Sequence, residues 1–245
     1  MNKLRLSLIV FTLILASSAN GQEQLQSDLI KTSDGDLTIT FIGHGSLMFT
    51  FGGKVIHVDP FSKLADYSKL PKADIVLITH EHRDHLDTAA LDKIRAEKTR
   101  FVVNGAGAAQ VNGGTVLKNG DVKTIEGITI EAVPAYNIVS KRENGQPYHP
   151  IGSGNGYIMT FGDKRVYVAG DTENIPEMKG FKNIDVAFLP MNLPYTMTPE
   201  MVADAADMIE PKVLYPYHTG ETDLPKLTSL MKDRKGIEVR IRKMQ

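Results

Sequence analysis

The sequence predicts an α/β protein in which two mixed sheets pack face to face and helices cover the outside. The main observation is a faint duplication, in which Thr-Phe-Gly-Gly-Lys at 50–54 recurs as Thr-Phe-Gly-Asp-Lys at 160–164. Each copy leads into a β-rich run, and the apolar run at 74–80 is then echoed at 185–191. Two similar halves, each with strands followed by a helix, favour two packed sheets.

Apolar runs and end signals place the separate elements along the chain. The run at 73–79 is apolar and rich in β-branched residues, which predicts a buried parallel strand. Thr198 is a favourable N-cap, and Pro199 fits the first position of a helix that stops before Pro211. The other predicted elements are helices at 88–98 and 224–235 and a strand at 212–217.

The first 21 residues have the pattern of a signal peptide. Lys3 and Arg5 precede an apolar run at 6–16, and small residues follow it at 17–21. The run is shorter than the ~20 residues that span a bilayer, so no stable membrane span is expected after cleavage. An uncleaved anchor is the alternative. Residues 22–245 are predicted to form a single periplasmic or secreted domain.

The composition is that of an ordinary globular protein, with 42% hydrophobic residues, 23% charged residues and a net charge of −1. Because no basic face dominates, nucleic acid is not expected as the main partner, and a small molecule is. The basic residues Arg240, Arg242 and Lys243 are interpreted as a solvated tail. The chain has no cysteine, so any metal site must use nitrogen and oxygen ligands. The oligomeric state is left open.

The segment 79–87, Thr-His-Glu-His-Arg-Asp-His-Leu-Asp, is the densest group of metal-capable side chains. His80, His82, Asp84 and His85 follow a predicted strand, at the end where α/β proteins place ligands. Imidazole and carboxylate together suit zinc or a similar transition metal. The alternative is a solvated, charged turn before a helix.

Two further polar residues follow predicted strands in the second half of the chain. Asp171 comes after Gly170, and His218 ends the run 212–217. Taken alone, Asp171 would be a turn or cap residue and His218 a half-buried histidine. Their shared placement downstream of the dense cluster favours a common metal site.

The order of these motifs, His-x-His-x-Asp-His, then Gly-Asp-Thr, then a late strand-end histidine, resembles the metallo-β-lactamase superfamily over residues 37 to about 220. The runs at 42–46, 59–60 and 169–172 are similar to the branch that includes the ascorbate-phosphate lactonase and the N-acyl-phosphatidylethanolamine phospholipase D. The resemblance implies an αββα sandwich that holds two divalent metal ions, usually zinc and sometimes iron or manganese.

The same resemblance implies a role for each motif residue. His80 and His82 would bind one metal, the other would take Asp84, His85 and His218, and Asp171 would bridge the two. Such a pair of ions polarises a carbonyl or phosphoryl oxygen and holds a hydroxide as nucleophile. Asp84 would also orient that hydroxide. By its position at a strand end after Gly43, His44 is a candidate general acid for a substrate oxyanion, with a structural role as the alternative. Asp59 and Asp87 are candidate acceptors that fix histidine tautomers, with a cap or turn role as the alternative.

One position departs from the family pattern, which places a third histidine for the first metal after Pro-Ala-x. Here the residue is Asn137, a poor zinc ligand. His149 in the following loop is the candidate replacement; otherwise it contacts substrate or nothing, and manganese becomes more plausible.

The glycine-rich segment 136–156 is long enough to predict a lid or substrate-binding loop. The predicted substrate contacts are Tyr136, Asn137, Tyr148 and Tyr195, and Lys141 and Arg142 are either solvated or able to meet an anionic group.

Three functions of different classes are compatible with these residues. The leading hypothesis is an exported dimetal hydrolase that cleaves an ester, lactone, amide or phosphodiester bond. The second is a metal-binding protein or sensor without turnover, motivated by Asn137. The third, a di-iron oxidoreductase, is disfavoured because no flavin or rubredoxin-like domain follows, and a β-lactamase is disfavoured by the missing histidine.

Overall fold

The computed structural model describes residues 25–244. The predicted signal peptide at 1–21 lies outside the described residues and stays a prediction, as does the division of the chain into signal peptide and single domain. Over 25–244, no helix is both long and apolar enough to cross a membrane.

Two seven-stranded mixed sheets form the centre of the molecule, which confirms the predicted sandwich. The first sheet has the order β1-β2-β3-β4-β5-β6-β7. Its strands are β1 (Gln26–Thr32), β2 (Gly35–Gly43), β3 (Ser46–Phe51), β4 (Lys54–Val58), β5 (Ile75–Leu77), β6 (Arg100–Val103) and β7 (Thr115–Val116). Strands β1 to β4 pair in antiparallel fashion, and β4 to β7 pair in parallel.

The second sheet repeats this arrangement. Its strands are β8 (Val122–Ile125), β9 (Ile128–Ala135), β10 (Gly154–Phe161), β11 (Lys164–Val168), β12 (Val186–Pro190), β13 (Val213–Tyr217) and β14 (Glu238–Val239). Strands β8 to β11 are antiparallel neighbours, and β11 to β14 are parallel. The sequence repeat at 50–54 and 160–164 forms a two-residue hairpin turn in each half, where Gly52, Gly53 and Gly162 adopt positive φ angles that favour glycine.

The core between the sheets is built from the alternate residues of their strands. In β2, Leu37, Ile39 and Phe41 point inward and are at most 2% exposed. Phe161 and Phe188 of the second sheet lie close to Phe49 of β3, with ring centroids 5.9 and 6.1 Å apart. Burial of these apolar surfaces holds the two halves face to face.

Within residues 25–244, three α-helices cover the outer faces: α1 (Thr88–Ile94), α2 (Pro199–Ile209) and α3 (Leu224–Met231). Helix α2 has the predicted cap, because the Thr198 side chain accepts from the Met201 backbone N–H. Helix α1 ends four residues before the predicted limit, because Arg95 turns to an extended conformation and the chain returns toward β6. Helix α3 likewise ends at Met231, before the predicted residue 235. Short 3₁₀ turns lie at Tyr67–Lys69, Gly107–Ala109 and Pro176–Gly180.

The basic C-terminal residues are not a solvated tail, contrary to the prediction. The Arg242 guanidinium pairs with the Asp28 carboxylate of β1 at 2.7 Å, and Arg240 lies 3.6 Å from the same carboxylate. The tail therefore ties the second sheet to the first.

Candidate metal centre

The predicted ligands, which are far apart in the sequence, meet at the end of the sandwich where the parallel strands finish. The loop after β5 supplies His80, His82, Asp84 and His85; the loops after β11 and β13 supply Asp171 and His218; and the 136–153 loop supplies His149. Backbone and side-chain bonds join the two sheets here. The Asn155 N–H donates to the Thr79 carbonyl at 2.9 Å, and the Tyr157 hydroxyl donates to the Ile78 carbonyl at 2.7 Å.

A first group contains His80, His82 and His149, whose ligand atoms all lie within 4.8 Å of one another. The His149 Nε2 atom is 3.3 Å from His82 Nδ1 and 3.3 Å from Asp171 Oδ2. The His80 Nε2 atom is 3.9 Å from the same carboxylate oxygen. Ligand atoms at about 2.0–2.1 Å from one tetrahedral zinc lie roughly 3.4 Å apart, so this spacing suits a single cation.

A second group faces the other oxygen of Asp171. His85 Nε2 and His218 Nε2 lie 3.5 and 3.6 Å from Asp171 Oδ1. The same two nitrogens lie 3.9 and 3.8 Å from Asp84 Oδ2. Asp171 thus presents one oxygen to each group of histidines, the arrangement expected of a bridging carboxylate.

The His80 and His85 tautomers are set by a buried network behind the centre. The Thr79 hydroxyl and the Thr79 backbone N–H both donate to Asp59, at 2.6 and 2.8 Å. The His85 Nδ1–H donates to Asp59 at 2.8 Å, and His80 Nδ1 lies 3.0 Å from the Thr79 hydroxyl oxygen. Because the Thr79 hydroxyl donates its proton to Asp59, it can only accept a hydrogen bond from His80 Nδ1–H. Each imidazole therefore keeps its Nε2 lone pair for the centre.

Asn137 fixes the third histidine of the first group. Its side-chain oxygen accepts from the His149 backbone N–H at 2.8 Å, which identifies that atom as oxygen. The same oxygen is 2.7 Å from His149 Nδ1, so Nδ1 must carry the proton and Nε2 is left unprotonated. The Asn137 amide nitrogen donates to the Tyr195 carbonyl at 2.9 Å. Asn137 lies outside the lining of the cavity, and its predicted contact with substrate stays a prediction.

Burial and neighbouring groups shift the pKa values of the cluster. Burial lowers the pKa of His80 and of His82, and the nearby imidazoles His85 and His149 respectively lower it further. Burial opposes the charged form of His85 as well, but Asp171 and Asp59 outweigh it and raise the pKa of His85 to about 9. A cation bound at His85 Nε2 would be attracted by Asp171 and Asp59 in the same way as a proton on that ring.

The two carboxylates stay ionised despite their surroundings. Burial acts to raise the pKa of Asp171, but His218 and His85 hold it well below its usual range. Burial acts to raise the pKa of Asp84 also, and the nearby His218 and His44 imidazoles outweigh it, so the pKa of Asp84 lies below its usual value. The two carboxylates are thus in the form that binds metal, and a cation at His85 Nε2 would take the place of the proton that the raised pKa of His85 favours.

Four atoms of this cluster are buried and have no hydrogen-bond partner among the described residues: His80 Nε2, His85 Nε2, His218 Nε2 and Asp171 Oδ1. An unsatisfied buried polar atom costs about 1–3 kcal/mol, and native structures rarely tolerate several together. All four belong to the groups whose spacing suits a cation. The residues present therefore fit a metal centre.

The backbone beside the centre leaves room for the rings. A Cβ atom on Gly45 would lie 2.9 Å from His85 Cε1 and 3.5 Å from His218 Cδ2. The neighbouring His44 ring lies 3.6 Å from the His218 ring, centroid to centroid, and His44 Nε2 lies 3.0 Å from Asp84 Oδ2. His44 is therefore part of the cluster through Asp84.

A cavity of about 540 Å³ opens onto the centre, within the usual size range of small-molecule sites. Its lining consists of His44, His82, Arg83, Asp84, Arg142, Tyr148, His149, Asp171, Asn192, Tyr195 and His218. Tyr148 and Tyr195 pack edge to face on one wall, at 5.0 Å between ring centroids. Tyr136, predicted to contact substrate, lies outside this lining, because its hydroxyl donates to Glu177 at 3.0 Å.

Around the candidate ligands lie the two carboxylates predicted to fix histidine tautomers and three contact residues that the sequence did not predict. Asp59 holds His85, whereas Asp87 caps helix α1 and binds Ser62 instead. Sequence reasoning missed Thr79, Glu173 and Asn192, which contact His80, Asn137 and His218 respectively. Thr79 and Glu173 lie next to the motifs at 80–85 and 171, and this proximity was the only signal for them.

Fold and centre together define a metal-binding αββα sandwich with a substrate cavity. Residues 38–218 match the family described as the beta-lactamase superfamily domain, and the chain belongs to that family. The predicted resemblance is thereby confirmed. A UPF0173 metal-dependent hydrolase of Ligilactobacillus salivarius is 35% identical over 204 residues, 74% of this chain and 84% of that protein.

Solved structures agree with this assignment. A crystal structure from Parabacteroides distasonis, classed as a metal-dependent hydrolase, has 53% identity and a TM-score of 0.87, over 91% of this chain and 100% of that one. A metallo hydrolase of Ignicoccus hospitalis has 27% identity and a TM-score of 0.70, over 84% of this chain and 95% of that one.

Proposed function

We propose that this chain, a metal-dependent hydrolase of the metallo-β-lactamase fold, works with two divalent cations and acts outside the cytoplasm on an ester, lactone, amide or phosphodiester bond. The observation that carries the proposal is the pairing of two histidine groups on the two oxygens of Asp171, at 3.3–3.9 Å and 3.5–3.6 Å. The nitrogen and oxygen donors favour zinc, and the pattern at residues 1–21 supports export.

The first cation would be held by His80, His82 and His149, and the second by Asp84, His85 and His218, with Asp171 between them. Two such cations polarise the substrate's carbonyl or phosphoryl oxygen and lower the pKa of water, so that water can attack near neutral pH. His149 supports a complete first site, since Asn137 directs its Nε2 to the centre. The hypothesis of a metal-binding protein without turnover rested on an incomplete first site, and the position of His149 argues against it.

Asp84 and His44 are placed for proton transfer at the cavity wall. The Asp84 side chain is 40% exposed and still borders both imidazoles of the second group, so it can accept a proton from the attacking water. His44 Nε2 faces Asp84 and lines the cavity, where it can pass a proton to the leaving atom of the substrate.

Metal analysis combined with a hydrolysis panel tests the proposal. The purified protein is expected to hold two equivalents of metal and to lose turnover after chelation. His149→Ala is expected to lower the metal content toward one equivalent, whereas Gln146→Ala, an exposed change on the same loop, is expected to keep two. Full turnover by protein from which a chelator has removed nearly all metal would contradict the proposal. Fractionation of the expressing cell tests export separately.

A further inference from the structure

Two arginines at the cavity wall belong to neither group of candidate metal ligands. Arg83 and Arg142 both line the cavity and are exposed. Among residues 25–244, neither guanidinium lies within ion-pair distance of a carboxylate. Their positive charges therefore face the space that a substrate would occupy.

Arg142 is held in place by the local fold of its loop. Its backbone N–H donates to the Gln146 carbonyl at 2.8 Å, and the Gly145 N–H donates back to the Arg142 carbonyl at 2.9 Å. The guanidinium donates to the Tyr148 carbonyl at 3.3 Å and lies 5.1 Å above the Tyr148 ring. Tyr148 in turn packs on Tyr195. The hairpin and the aromatic wall thus position the guanidinium at the cavity.

Arg83 is positioned by its neighbours in sequence. It lies between His82 and Asp84, whose side chains belong to the two ligand groups. The Arg83 side chain lines the cavity next to His82 and Asp84. The two arginines therefore approach the cavity from different loops, the one at 80–85 and the one at 136–153.

The charge balance of the cavity favours an anion. The carboxylates in its lining are Asp84 and Asp171, and both already face imidazoles. Two divalent cations would outweigh these carboxylates, and the arginines add charge of the same sign. A planar guanidinium binds the oxygens of a phosphate or carboxylate in bidentate fashion.

We propose that the substrate carries an oxyanion group, a phosphate or a carboxylate, and that Arg83 and Arg142 bind this group while the scissile bond lies at the metal centre. The proposal rests on the proposed hydrolase function, because the scissile bond is placed by the metals. Lys141 offers a matched control, since it precedes Arg142 and is exposed but does not line the cavity.

Binding without turnover tests the proposal on the metal-loaded protein. Inorganic phosphate and succinate are titrated calorimetrically into the unsubstituted protein and into Arg83→Gln, Arg142→Gln and Lys141→Gln. Each arginine variant is expected to bind at least one of the anions about 10-fold more weakly, while Lys141→Gln stays within about twofold. The salt dependence of that binding should also weaken in the arginine variants, which a purely structural role would not cause.

Comparing the loss of binding for phosphate with that for succinate identifies the oxyanion group that the arginines bind. A loss confined to phosphate assigns a phosphate, and a loss confined to succinate assigns a carboxylate. If both arginine variants bind both anions within about twofold of the unsubstituted protein, or if Lys141→Gln loses as much as Arg142→Gln, the proposal is overturned. A protein that hydrolyses nothing but binds anions through these arginines would refute the proposed function and leave the anion site standing.

Discussion

At residue 137, an amide supports a ligand instead of serving as one. The Asn137 oxygen accepts from both the backbone and the ring of His149, twelve residues further along the chain. The amide nitrogen is anchored on the Tyr195 carbonyl, so the oxygen cannot rotate away. In place of the histidine that the family pattern puts at position 137, the chain has a pair of residues: His149, the proposed ligand, and Asn137, which orients it.

Asn137→Ala is expected to weaken the first metal site selectively. Without the acceptor, the His149 ring is free to change tautomer and orientation, and loss of such a support typically costs about 10- to 100-fold in metal affinity. Titration against a competing chelator should reveal one weakened and one unchanged site. Asn112→Ala, at an exposed asparagine outside the centre, is the control. Two sites of unchanged affinity would contradict the assigned role of Asn137.

Gly45→Ala is expected to disturb the second site. A methyl group there would lie 2.9 Å from His85 Cε1 and 3.3 Å from His85 Nδ1, so the ring must shift, and its 2.8 Å bond to Asp59 is disturbed. Overpacking of this kind costs about 1–3 kcal/mol. The measured metal content should fall toward one equivalent, with a lower melting temperature. Gly105→Ala, where a Cβ meets no atom within 4 Å, should behave as the unsubstituted protein; a Gly45→Ala protein that retains both metals would contradict the prediction.

At the scale of elements, the 136–153 loop is anchored by one buried carboxylate. Glu173 accepts from the backbone N–H groups of Ile138, Val139 and Ser140, each at 2.7 Å. Burial acts to raise the pKa of Glu173, but these donors lower it overall. Ile138 and Val139 are themselves exposed, so apolar packing of their side chains does little to hold this part of the loop.

Glu173→Gln is expected to loosen the loop while leaving the second metal site intact. The amide can accept on one side only, and an unsatisfied buried group costs about 1–3 kcal/mol. Hydrogen exchange at residues 138–140 should accelerate, and the KM for a hydrolysed substrate should rise more than kcat falls. Glu221→Gln removes a charge from an exposed position outside the loop and serves as control. Unchanged exchange at residues 138–140 would show that Glu173 does not anchor the loop.

The elements differ in how well the sequence predicts them. Helix α2 was predicted from local signals, since Thr198, Pro199 and Pro211 mark its ends. The 80–85 motif was recognisable because its ligands are adjacent in sequence. Glu173 was not predictable, because its loop contacts span more than thirty residues and depend on how two loops fold over one another. The role of Asn137 was missed because its contact with His149 depends on how the 136–153 loop folds back on itself.

At the scale of the whole molecule, the centre depends on the packing of both halves. The first half supplies His80 to His85 from the end of β5, and the second supplies Asp171 and His218 from the ends of β11 and β13. The centre cannot assemble unless the sheets pack, so metal binding and the stability of the sandwich are linked.

The contact between Asp28 and Arg242 is a second link between the sheets, and it uses none of the candidate metal ligands. The Asp28 carboxylate accepts two bonds from the Arg242 guanidinium, at 2.7 and 3.1 Å, and one from the Tyr215 hydroxyl. Its side chain is 14% exposed. Burial acts to raise the pKa of Asp28, but Arg242 and Tyr215 lower it overall, below the usual 3.8. The ionised form is therefore the one that stabilises the fold.

Asp28→Asn is expected to destabilise the protein by about 1–3 kcal/mol near pH 7, because a charge-assisted bidentate contact is lost. A carboxyl with a lowered folded-state pKa contributes stability above its unfolded pKa and loses it as the pH falls through the folded pKa. The difference from the unsubstituted protein in urea unfolding should therefore be full at pH 7 and shrink as the pH falls below 3.8. Asp36→Asn, at a more exposed pair with Lys31, should cost little at any pH. A cost for Asp28→Asn that stays constant down to acid pH would mean that the carboxylate charge does not hold the sheets together.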